Sequence, residues 1–192
     1  MIKKLIAFTL SEVLLVTGII GVIGALTIPN MKKSYERKAR IAKAKADFYN
    51  LDTALQQLDV QEVLLGKTTL EDRSLALINA LKENVKFNYV CGKNTEGNIC
   101  FTSDYANSGM STFLDANGSN CATGILKDNT EMLLCAANYV QGTLYGFIMI
   151  DVDGASKGIQ NRGDDLFYFE FAGNTGGNGL KYTQSPEVDI LN

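Results

Sequence analysis

Glu12 is a carboxylate set into an apolar run from Phe8 to Ile28 that is otherwise broken only by small or hydroxylated residues. A charged side chain in mid-bilayer costs roughly 2.5 to 3.5 kcal/mol even on the milder insertion scales, so a carboxylate there points to a function that needs a partner. A second group of carboxylates follows late in the chain, at Asp151, Asp153, Asp164 and Asp165, with Gly154 and Asn161 among them. Several hard oxygens converging on one loop are what calcium requires, and Asp151-x-Asp153-Gly154 supplies two at a turn. An EF-hand is excluded because Ala155 occupies the third ligand position. The competing reading, which we prefer, is a polar connection in which Asp and Gly make the bend.

The third reactive set is Cys91, Cys100, Cys121 and Cys135, in a chain with no histidine. No spacing among them is that of a Cys-x2-Cys zinc site, so disulfides and an oxidising compartment account for them better. Three connectivities are open. Cys91 and Cys100 flank a turn-rich loop, Gly92 to Asn98, and Cys121 and Cys135 flank a hairpin around Lys127-Asp128-Asn129. A three-residue hairpin loop with Asn129 in the left-handed region pairs Leu126 with Thr130 and sets Cys121 opposite Cys135, which favours two local bridges. The absence of histidine excludes Ser-His-Asp and Cys-His catalysis, and no Gly-x-Ser-x-Gly elbow is present. Gly66-Lys67-Thr68 ends like a phosphate loop, but Gln61 stands where its first glycine must be. We expect no enzyme.

The elements that position these groups follow from periodicity. From Phe8 the pattern predicts one long helix to about Leu65, interrupted only at Pro29. Its later apolar positions, Ile41, Ala44, Phe48, Leu51, Leu55 and Leu58, step by three and four and so share one stripe that must pack on a domain. Gly18, Gly21 and Gly24 weaken the helix before Pro29 or allow neighbouring helices to approach closely. Thr68-Thr69-Leu70-Glu71 has capping-box spacing ahead of a short second helix that ends near Asn84. From Phe87 the period becomes that of strands: Phe87–Val90, Ile99–Phe101, Ala122–Leu126, Met132–Ala136, Thr143–Val152 and Leu166–Ala172. Residues Gly173 to Gly179 read as a turn, and the tail from Pro186 to Asn192 as exposed. The fold class is α+β, a long amino-terminal membrane-spanning helix against an antiparallel sheet.

Charge is divided along the 192 residues: of 18 lysines and arginines and 21 acids, nine cations but only two acids precede residue 46. Lys32, Lys33, Arg37, Lys38, Arg40, Lys43 and Lys45 directly follow the apolar run, and by the positive-inside rule they argue for a cytoplasmic domain. The cysteines argue the other way.

The stub Met1-Ile-Lys-Lys-Leu-Ile-Ala7 is too short for a secretory leader. A basic stub, a small residue, then Phe8-Thr9-Leu10-Ser11-Glu12-Val13-Leu14 and an apolar helix resembles the leader of type IV prepilins and type II secretion pseudopilins. The resemblance implies a leader of residues 1–7, a transmembrane and filament-core half-helix of 8–30, and a soluble pilin-like domain of 31–192. It implies that a prepilin peptidase cuts between Ala7 and Phe8 and methylates Phe8. It further implies that the Phe8 amine and Glu12 of neighbouring subunits pair during assembly, and that Gly21 to Pro29 loosens as a helix break. Partners would be the peptidase, other pilin or pseudopilin subunits, an inner-membrane assembly platform and, before assembly, the lipid bilayer. The location would be the inner membrane, single-pass, with the domain in the periplasm or in an extracellular filament. With the cysteines, this decides the orientation against the charge rule. The family usually has Gly where Ala7 stands. Its common carboxy-terminal disulfide is not matched, because no cysteine follows Cys135, and that favours a minor pilin or pseudopilin. Some pseudopilins bind calcium in a loop between late strands, which makes Asp151, Asp153 and Asp164 candidate ligands by resemblance. The rival function is a permanently anchored periplasmic binding domain that never polymerises.

Overall fold

The computed structural model describes residues 9–93, 100, 121–140, 143–154, 165–173 and 179–182. The chain divides into two units, Met1–Ala39 and Arg40–Asn192. Helix α1 runs over Leu10–Gln57, with no break at Pro29. The expected interruption is therefore absent from the single chain: Pro29 has no amide hydrogen to donate one turn back, yet the turns on either side stay helical. The helix also ends earlier than Leu65. Asp59 accepts the Glu62 amide at 3.2 Å and starts a separate short helix, α2, over Val60–Leu64. Gly66, at φ +73°, then takes the left-handed conformation that closes α2.

Helix α3 spans Leu70–Leu81, and its cap is Thr69, whose hydroxyl accepts the Asp72 amide at 3.1 Å. The cap thus lies one residue beyond the Thr68 register that the Thr-x-x-Glu spacing suggested. Leu77, Ile78 and Leu81 of α3 are buried with the α1 stripe of Ala44, Phe48, Leu51 and Leu55, against which Ile41 and Leu58 are partly buried.

Among the described residues six strands follow: β1 Phe87–Lys93, β2 Cys121–Leu126, β3 Glu131–Val140, β4 Thr143–Asp151, β5 Leu166–Gly173 and β6 Gly179–Tyr182. They lie side by side in chain order, each antiparallel to the next. The sequence predicts no strand after Ala172, with Gly179 closing a turn, and the structure adds β6 there by pairing Gly179–Tyr182 with Ala172–Phe169. The expected strand at Ile99–Phe101 and the tail from Pro186 lie outside the described residues, apart from Cys100.

Period-two alternation sends Met132, Leu134, Ala136, Ile148, Ile150, Phe167, Phe169 and Phe171 into the core shared with α1. Phe48 of α1 meets Phe169 with ring centroids 5.0 Å apart, a burial worth roughly 1.5 to 3 kcal/mol for each such side chain. The alternate residues Leu133, Cys135, Phe147, Met149, Leu166 and Tyr168 form a second buried cluster with Cys121. Burial on both faces explains why Phe147 to Ile150 of β4 and Leu166 to Phe169 of β5 are continuous apolar runs, while Glu170 beyond them is exposed.

Asn129 sits at φ +67°, and the Leu126 amide donates to the Thr130 carbonyl at 2.9 Å, closing the β2–β3 hairpin. Cys121 consequently faces Cys135 in the register, and the two are bonded with Cα atoms 4.3 Å apart. Cys91 is bonded to Cys100, with Cα atoms 6.0 Å apart.

The β3–β4 register shifts between Ala136 and Asn138. Beside that shift the Ala136 amide donates instead to the buried Ser74 hydroxyl of α3 at 2.8 Å, while Ser74 donates to Leu70 carbonyl oxygen at 2.9 Å. Ser74→Ala leaves a buried amide without its acceptor. We expect it to lower stability by about 1 to 3 kcal/mol, measured as a lower urea midpoint with unchanged slope; a midpoint equal to wild type would show that the shifted register finds another acceptor.

Candidate membrane and assembly segment

The first part of α1 presents apolar side chains outward all round. Leu10, Leu14, Leu15, Ile20, Val22 and Leu26 are each more than 60% exposed, and Val13, Val16, Ile19, Ile23 and Ile28 are exposed as well. An 18-residue window of this helix has a mean hydropathy of 2.0 with none of it buried, so by length and composition it can cross a membrane. Its hydroxyls place no demand on the surroundings. Thr17 donates to the carbonyl oxygens of Val13 at 2.8 Å and Leu14 at 3.1 Å, and Thr27 to that of Ile23 at 2.9 Å. Polar groups bonded back into their own helix are compatible with an apolar solvent. A Cβ added at Gly18 or Gly21 would meet nothing within 4 Å, so this chain's own packing does not require either glycine.

Glu12 stands in the first turn of this helix. Its Oε2 accepts the Thr9 amide at 2.9 Å and the Thr9 hydroxyl at 2.8 Å, while the Glu12 amide lies 3.3 Å from Thr9 Oγ1. Thr9 and Glu12 therefore form a reciprocal capping box that satisfies two amides which the helix start would leave open. Sequence reasoning missed this, although Thr9-Leu10-Ser11-Glu12 has the Thr-x-x-Glu spacing of a capping box. The carboxylate has a local role before any second molecule is considered. Ala7 and Phe8 lie outside the described residues. Gly21 and Pro29 both lie in unbroken helix.

The structure brings Asp151 and Asp153 together at the end of β4. Asp151 is buried, and its Oδ1 accepts the amides of Gly154 at 2.9 Å and Asp153 at 3.4 Å. Gly154 has φ +73°, a left-handed conformation that glycine takes at no steric cost. Asp153 Oδ2 lies 3.7 Å from Arg40 Nη1, and Lys43 Nζ donates to Val152 carbonyl oxygen. Burial pushes the Asp153 carboxyl up from its usual range, the Asp151 carboxylate adds to this, and the Arg40 guanidinium opposes it. Both carboxylates are thus engaged in making the turn and holding α1. Among the described residues no group of three potential ligands is placed to hold a metal; Asp164 lies outside them.

A long amino-terminal helix whose later half is buried against an antiparallel sheet is a pilin-like fold, of class α+β. Searches for relatives found no family model, no curated protein and no solved structure that matches the chain.

Proposed function

We propose that this protein is a structural subunit, a minor pilin or pseudopilin, of a type IV pilus or a type II secretion-like filament, and that it is not an enzyme. The observation that carries this reading is the outward-facing apolar segment from Leu10 to Ile28, which holds one charged residue, Glu12, at its start. A helix apolar all round must be covered by lipid or by its own kind. In the sequence of events proposed, the chain is held by this helix in the inner membrane with its domain outside. A prepilin peptidase removes residues 1–7 and methylates Phe8, and an assembly platform draws the helix into a filament core. There the Phe8 amine of one subunit and Glu12 of its neighbour satisfy each other. Such a pair acts chiefly to fix register, because each charge left alone in a dry core is costly. Gly21 and Pro29 bound the stretch that loosens on assembly, where the helix already lacks the hydrogen bond that Pro29 cannot donate.

The test is mass spectrometry of the native protein, which should show a chain beginning at methylated Phe8. Ala7→Leu places a bulky residue before the cut and should leave the precursor uncut in the membrane. A mature amino terminus unchanged in that variant would defeat the leader assignment.

The Thr9–Glu12 capping box favours a second reading, because it gives Glu12 a role without any partner. The chain would then be a permanently anchored periplasmic domain that never polymerises. Such an anchor would keep Met1 to Ala7 in the mature protein.

A further inference from the structure

Where α1 passes the β2–β3 hairpin, two carboxylates meet on one hydroxyl. Thr130, fully buried, places its Oγ1 at 2.9 Å from Asp47 Oδ2 and 3.0 Å from Asp128 Oδ2. A threonine hydroxyl has a single hydrogen and can fully serve only one of these oxygens. The cations nearby do not resolve the shortage. Lys43, one turn before Asp47 on α1, gives its ammonium to Asp128 Oδ2 at 3.2 Å and to Asp128 carbonyl oxygen at 3.0 Å. Asp128 Oδ1 also accepts the Thr130 amide at 3.2 Å. Asp128, on the exposed hairpin loop, thus has the Lys43 ammonium and the Thr130 amide as donors of its own. Asp47, 7% exposed, makes no ion pair among the described residues.

We propose that Asp47 holds a proton and donates it to Thr130 Oγ1, whose own hydrogen goes to Asp128, so that the docking of α1 on the β2–β3 hairpin is an acid-sensitive latch. With the proton present, the chain Asp47–Thr130–Asp128–Lys43 has a donor for every contact and no net charge. When the proton leaves, two carboxylates face one hydroxyl, with one ammonium between them. Asp47 and Asp128 lie in the wall of a groove of about 610 Å³ that Asn50 and Thr53 of α1, Lys86 before β1 and Lys127 of the hairpin also line. Burial raises the Asp47 carboxyl to about 6; the Asp128 charge adds to the effect, and Thr130 and Lys43 oppose it. Folding therefore tightens the hold of Asp47 on its proton. The stabilisation from this group is complete below its ordinary value of 3.8 and is lost as pH rises through about 6.

The test uses the full-length chain in detergent micelles. Protection of the Leu126 amide against hydrogen exchange, corrected for the intrinsic rate, should fall by about tenfold between pH 5 and pH 7.5. Asp47→Asn keeps a donor toward Thr130 without a titrating group and should remove most of that difference. The carboxyl carbon of Asp47 in the unmodified chain should titrate near pH 6, which decides the matter even if the variant does not fold. An Asp47 carboxyl that titrates near 4, or an Asp47→Asn chain that keeps the full pH difference, would overturn the latch.

Discussion

Glu12→Gln should leave the precursor inserted, cleaved and folded, while its recovery in filaments falls on the order of a hundredfold or more. The substitution separates the cap contacts that Glu12 makes with Thr9 from its proposed pairing with the Phe8 amine. Glutamine is the usual alternative to glutamate at the third position of a capping box, so the contacts with Thr9 can persist. What glutamine lacks is the negative charge. As a neutral residue it should enter the bilayer at least as readily as the carboxylate, so membrane level is not the expected casualty. In a filament core the Phe8 amine would be left without a counter-charge, and stranding one member of a buried pair costs about 3 to 5 kcal/mol. The comparison needs cells with no wild-type copy and a sheared-filament fraction assayed beside the membrane fraction. Glu12→Ala should fail in the same assay and lose the cap as well. If Glu12→Gln enters filaments at the wild-type level and Glu12→Ala does not, the side chain is a helix cap, and the amine-pairing mechanism fails.

Gly146→Ala is expected to destabilise the soluble domain by on the order of 3 kcal/mol, at the upper end of what an added methyl costs in a packed core. A Cβ at Gly146 would stand 2.3 Å from Phe171 Cζ and 2.6 Å from Cys135 carbonyl oxygen. Neither neighbour can yield easily. Phe171 is buried in the core under α1, and the Cys135 carbonyl belongs to a strand paired on both sides and bonded through its sulfur to Cys121. With total stability of small domains near 5 to 15 kcal/mol, the loss should be plain in a urea titration. A change below about 1 kcal/mol would mean that the Phe171 ring has another place to go. At Gly18 and Gly21 the same methyl meets nothing within 4 Å, which separates glycines used by the fold from glycines that face outward.

Local physics made much of this fold legible. The α1 stripe from Ile41 to Leu58 follows from helical period alone, and the facing of Cys121 and Cys135 follows from the turn at Asn129. Misplaced boundaries came from competing local signals. Asp59 starts a new helix where the apolar stripe alone would continue the old one, and Thr69 outcompetes Thr68 for the cap with Asp72 in the place expected of Glu71. Strand β6 was missed because Gly179-Leu180-Lys181-Tyr182 is short and borders a glycine-rich stretch, so its strand character comes from pairing with β5 and not from its composition. The polar contacts that tie the domain together could not be read at all. Ser74 meets Ala136 across 62 positions and Asp47 meets Thr130 across 83, and no local spacing marks either pair. Glu12 is the opposite case: Thr9-x-x-Glu12 is a local spacing that marks its cap, while its charge stands out only against the apolar run around it.

The order of the sheet bears on how the chain could fold as it emerges. Because β1 to β6 are neighbours in the order in which they are synthesised, every strand from β2 onward finds its first partner already made. Among the described strands no slot has to be held open for one that arrives later, so the sheet can grow by addition at one edge. Cys135 reaches Cys121 as soon as β3 has formed, so that bond can close before β4 is added and fix the hairpin on which the remaining three strands build. A polypeptide delivered amino end first, by a ribosome or across a membrane, is thereby spared a long wait with unpaired strand edges exposed.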